Sequence, residues 1–78
     1  MKGEVPMQKW AYICVTVSIS NDFEKHRSTP YEIRLNTKIT NSRATLSDAY
    51  DYFNRLGQEG WEMVGVDKTD HYFKRPIE

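Results

Sequence analysis

The stretch Leu56-Gly57-Gln58-Glu59-Gly60-Trp61-Glu62-Met63-Val64 decides the architecture of the C-terminal half of the chain. Two glycines, three residues apart, separate a helical pattern from an alternating one. Gly57 stands where a helix of this length needs a left-handed residue just past its end, and Gly60 offers a second permissive position before the next strand. Trp61 opens that strand. Beside Leu56 it is expected to staple the helix end to a sheet, since a buried indole carries a large apolar area and one N–H that needs a partner.

Upstream, Leu46, Ala49, Tyr50, Phe53 and Leu56 recur at helical spacing and make one apolar stripe, with Asp48, Asp51 and Arg55 opposite. Thr45 precedes the stripe as an N-cap. Asp48, three residues on, is placed to complete a capping box and to favour the positive end of the helix dipole. Downstream, residues 61–67 and 71–77 read as two strands joined by Lys68-Thr69-Asp70, and Phe73 is expected to anchor the second of them in the core.

In the N-terminal half, Ala11, Ile13, Val15, Val17 and Ile19 alternate with Trp10, Tyr12, Cys14, Thr16, Ser18 and Ser20. That period of two predicts a strand whose aliphatic side faces the core. Residues 21–30 are polar and read as a long hairpin loop. Residues 31–39 alternate again, with Glu32, Arg34, Asn36 and Lys38 on the wet side, and are expected as an edge strand; residues 40–44 read as a polar linker. The order is β-β-α-β-β. It predicts an α+β fold in which a four-stranded antiparallel sheet carries one helix packed on one face. Residues 1–9 are expected as a flexible arm and 10–78 as one small domain.

Several of these residues together resemble a family of small bacterial and phage proteins filed as a domain of unknown function. The resemblance rests on the Trp-x-Tyr of Trp10 and Tyr12, the helix end and turn Phe53-Asn54-Arg55-Leu56-Gly57-x-x-Gly60-Trp61-Glu62-Met63-Val64, and the closing Tyr72-Phe73-Lys74-Arg75-Pro76. It spans residues 10–76, and the middle is covered only loosely. Ala11 departs from the acidic residue of the family pattern and Met63 from its leucine, and residues 21–39 are more elaborate than in the shortest relatives. The resemblance implies a compact sheet with one helix; it brings no reaction, cofactor or catalytic residue.

Composition narrows the function classes. Among 78 residues, eleven Lys plus Arg balance eleven Asp plus Glu, so no long-range field gathers nucleic acid or an anionic membrane. A chain this short buries only about 60–65% of its unfolded surface, which leaves little room for a deep enclosed site. The single Cys14 has no intramolecular partner, which points to a reducing, cytoplasmic setting and to a packed thiol. The longest apolar run, residues 10–17, falls far short of the roughly twenty that span a bilayer.

The chemistry of an enzyme is hard to assemble from this residue set. No Cys-x-x-Cys or His-x-x-x-His supplies metal-ligand spacing, and no cofactor is expected. Residues 57–60 follow a helix and precede a strand, the reverse of a phosphate-binding glycine loop. Asp67, Asp70 and His71 hold the one candidate proton-transfer group, but polar residues are what a tight turn requires in any case. A non-enzymatic reading follows, with no catalytic or metal residue assigned.

Binding has more material. With one helix over the sheet, one face stays uncovered, and Trp10, Tyr12 and Tyr72 fall on it, with Arg34, Lys38, Lys74 and Arg75 as candidate rim cations. The expectation is a self-association module that forms a homo-oligomer through this face or an edge strand. Two alternatives stand beside it: a receptor or sponge for a small anionic, nucleotide-like ligand, and, against the zero net charge, a single-stranded nucleic-acid binder. Thr45, Phe53, Leu56, Gly57, Gly60, Trp61 and Phe73 are read as structural.

Overall fold

The computed structural model describes residues 7–77. It is an α+β fold with one helix and five strands: β1 (Lys9–Ile19), β2 (Tyr31–Leu35), β3 (Lys38–Ala44), α1 (Leu46–Gln58), β4 (Glu62–Asp67) and β5 (Asp70–Ile77). Every pairing is antiparallel, and the order across the sheet is β3-β2-β1-β5-β4. Most of the expected N-terminal arm lies outside the described residues; Lys9 is already in β1, opposite Ile77.

The fifth strand corrects the four-stranded expectation. What reads in the sequence as one strand over 31–39 is two, because the chain reverses at Asn36-Thr37, where Asn36 takes a positive φ of 56°. The Asn36 N–H donates to the carbonyl of Cys14, and its Oδ1 accepts the Cys14 N–H, so the turn itself completes the edge of β1. The polar 40–44 segment is therefore the second half of an edge strand. β2 lies inside the sheet.

α1 begins as its sequence dictates. Thr45 Oγ1 accepts from the Asp48 N–H at 3.0 Å while Asp48 Oδ2 accepts from the Thr45 N–H at 2.9 Å, a full capping box. The other end differs from expectation. Gly57 is inside the helix, and Gly60 is the left-handed residue, at φ 93°. The Trp61 N–H donates to the Leu56 carbonyl and the Gly60 N–H to the Gly57 carbonyl, the paired bonds of a Schellman ending.

The core lies between the helix and one face of the sheet. Val15, Ile33, Ala44, Ala49, Leu56 and Phe73 are buried, with Tyr52, Phe53 and Trp61 packed against them. Tyr52 thus joins the inward side of α1, while Leu46 and Tyr50, expected in its stripe, are exposed. Ile13, Val15 and Val17 of β1 face this core as their alternation predicts, whereas Ile19, at the end of the strand, is 62% exposed.

Candidate functional site

On the face away from the helix, β1 and β5 bring their even-numbered residues together. Tyr12 lies opposite Lys74, Cys14 opposite Tyr72 and Thr16 opposite Asp70. Tyr12 is 66% exposed, and Trp10 and Tyr72 are nearly two-fifths exposed. Lys74 Nζ sits 4.0 Å from the Trp10 ring centroid, a cation–π contact on an open surface. At the other end Thr16 Oγ1 donates to Asp70 Oδ1 at 2.7 Å. The Tyr72 hydroxyl is pushed above its ordinary pKa by partial desolvation on the sheet and then by the Asp70 charge, so it remains a neutral donor and acceptor.

Arg34 shares this face, opposite Thr16, yet its Nε is bound to Glu32 Oε2 on the same strand. Its charge is thereby answered locally. About four strand residues, or roughly 13 Å, separate it from the Tyr12 and Lys74 pair. Arg75 lies on the opposite face: its guanidinium stacks 4.4 Å over the Trp61 ring, and Nη1 donates to the Glu59 carbonyl at 2.8 Å. It supports the helix end instead of rimming the aromatic face. The strict alternation of β5, which parts residue 75 from 74, was the signal for this.

The candidate proton-transfer cluster is not assembled. Asp70 points to the open face, whereas His71 packs on the helix side, its ring 4.8 Å from that of Phe53. His71 Nδ1 is 3.2 Å from the Val15 carbonyl; because a carbonyl only accepts, this nitrogen carries the proton. Among the described residues no group of three His, Cys, Asp or Glu is placed to hold a metal ion, and no helix is long and apolar enough to cross a membrane.

The edges of the sheet carry a pattern that strand-by-strand reading missed, since it appears only once β3 and β4 are known to be the two edges. β3 holds Lys38 and Arg43 and no acid; β4 holds Glu62 and Asp67 and no base. The apolar Ile39, Met63, Val64 and Val66 on these edges are 40–58% exposed. No family model, no curated protein and no solved structure matches the chain.

Proposed function

We propose that this protein is a non-enzymatic cytoplasmic module that associates with further copies of itself. One observation carries the reading: a single helix of 13 residues serves a sheet of five strands, which leaves apolar side chains exposed on the far face and along the edges. Trp10, Tyr12 and Tyr72 stand on that face, and Met63, Val64 and Val66 on β4. A small domain that leaves this much aromatic and aliphatic surface unpartnered gains by burying it against another chain.

Light scattering across a concentration series from low to high micromolar tests the proposal. A weight-average mass that climbs above one chain supports it, and a mass fixed at one chain throughout overturns it.

The contact of Lys74 with Trp10 favours a second reading, in which the aromatic face receives a planar anionic ligand: the rings stack on it and Lys74 neutralises it. Thermal unfolding with a panel of nucleotides separates the two, since a ligand of the native state raises Tm with its concentration and self-association does not require it.

A further inference from the structure

We infer that copies of this chain join edge to edge, β3 of one against β4 of the next, in an open-ended row; the inference rests on the self-association proposed above and names its surface. Among the described residues the ion pairs are His26 with Asp22 and Arg34 with Glu32, and Lys38, Arg43, Glu62 and Asp67 make no ion pair with any described residue. The two bases lie on one edge and the two acids on the other. Asp67 is also the cross-strand neighbour of Asp70, a like-charge pair that an incoming cation relieves.

Spacing makes the edges complementary. An antiparallel joint with Lys38, at the start of β3, opposite Asp67, at the end of β4, also carries Arg43 to the Glu62 end of β4. The same register sets Ile39 against Val66, both more than half exposed. A joint of β4 with a second β4 instead gathers four carboxylates.

At the Lys38–Asp67 end the faces agree with that register; at the other end Arg43, next to the buried Ala44, and Glu62, opposite Lys74, fall on opposite sides of the joined sheet and attract across the edge without lying face to face. Four antiparallel steps separate β3 from β4, so the two run in the same direction, and an antiparallel joint turns each successive copy over. Val66 lies on the helix side, opposite His71, whereas Ile39 lies on the open side, opposite Arg34. Turning one copy over brings the two side chains to the same side of the joined sheet. Asp67 on the open side and Lys38 beside the inward-facing Leu35 are matched by the same inversion. Such a contact uses two different surfaces and does not close on itself, so rows grow beyond dimers. Register shifts at Val64 and along β3 shorten the continuous ladder, which makes the joint reversible on dilution.

The test is a charge exchange read by light scattering. The double variants K38E/R43E and E62K/D67K each carry two edges of one sign, and each is expected at one chain mass of about 9.2 kDa under conditions where the native chain associates. Mixed one to one, they are expected to recover at least a twofold rise in mass, as is the quadruple variant, which restores opposite edges. Association of the native chain is expected to weaken as salt rises from 0.05 to about 0.5 M, because exposed pairs are screened.

Native assembly that stops at dimers, ignores salt, or survives in both double variants overturns the edge joint while leaving self-association standing. Loss of assembly in the variants with no recovery on mixing or in the quadruple variant overturns it too. A native chain that stays monomeric removes both.

Discussion

Lys74 Nζ stands 4.0 Å from the centroid of the Trp10 ring, although Trp10 is the cross-strand neighbour of Pro76 and Lys74 that of Tyr12. The contact is therefore diagonal. A double-mutant cycle with Trp10→Leu and Lys74→Gln, read by urea unfolding at a concentration where the chain is monomeric, is expected to give a coupling of about 0.5–1 kcal/mol. Additive effects would show that the ammonium does not rest on the ring in solution.

The two glycines of the decisive stretch are expected to respond in opposite directions. Gly57 is helical and a Cβ there meets nothing within 4 Å, so Gly57→Ala is expected to stabilise by about 0.5–1 kcal/mol. Gly60 has φ 93°, and Gly60→Ala is expected to cost about 1–2 kcal/mol. Equal shifts in urea midpoint for the two variants would contradict the helix ending described above.

These glycines also show what was legible in the sequence. A helix end followed by a strand could be read from Leu56 to Val64, because the period changes from 3.6 to 2 across it. Which glycine takes the left-handed position could not, since the two lie within one turn and both suit it. The hairpin at Asn36-Thr37 was hidden for a related reason: the residue types of 31–39 alternate without a break, although the reversal puts Lys38 on the side of Leu35 and Ile39 on that of Arg34. Residues 40–44 then form an edge strand with little apolar periodicity, and such a strand looks like a linker. On the open face, the alternation of β1 and β5 was enough to bring Trp10, Tyr12, Tyr72 and Lys74 together. Arg34's pairing with Glu32 depends on side-chain conformation, which spacing does not give.

Removal of the capping hydroxyl isolates the start of α1. Thr45→Ala is expected to cost about 1 kcal/mol, and Thr45→Ser to retain most of it, because either hydroxyl reaches the Asp48 N–H. Far-UV circular dichroism and urea midpoints of the two variants check this, and indistinguishable behaviour would remove the cap from the account.

The loop after β1 supplies a pH dependence. Ser20 Oγ donates to Asp22 Oδ1 at 2.5 Å, and this bond holds the carboxyl below its ordinary value of 3.8; the Asp22 N–H and then the nearby His26 and Arg43 charges add to it against partial desolvation. A carboxyl depressed in the folded state stabilises above its unfolded pKa and loses that contribution as pH falls through the folded one. NMR titration is expected to find the Asp22 midpoint below 3.8, and to find it raised in Ser20→Ala. An unchanged midpoint in that variant would assign the depression to another cause.

Neighbouring positions on β5 are expected to differ sharply in their effect on stability. Phe73 is 2% exposed with its ring 5.7 Å from that of Phe53, and Phe73→Ala is expected to cost about 3–5 kcal/mol. A domain of this size holds only about 4–12 kcal/mol in total, so this variant is close to unfolded at 37 °C. Tyr72→Ala, one residue away on the open face, is expected to cost under about 1 kcal/mol under monomeric conditions. Thermal melts of the pair settle which face of β5 the core occupies.

The central place of β1 has a consequence for how the chain acquires its shape during synthesis. β1 leaves the ribosome first among the strands, yet the partner of its Thr16, Asp70, lies 54 positions later. The hairpin of β2 and β3 can engage one margin of β1 early, but the other margin waits for β5, and Phe73 arrives with it. Cooperative collapse is thus deferred until nearly the whole described chain has emerged, and until then the longest strand has at most one margin paired.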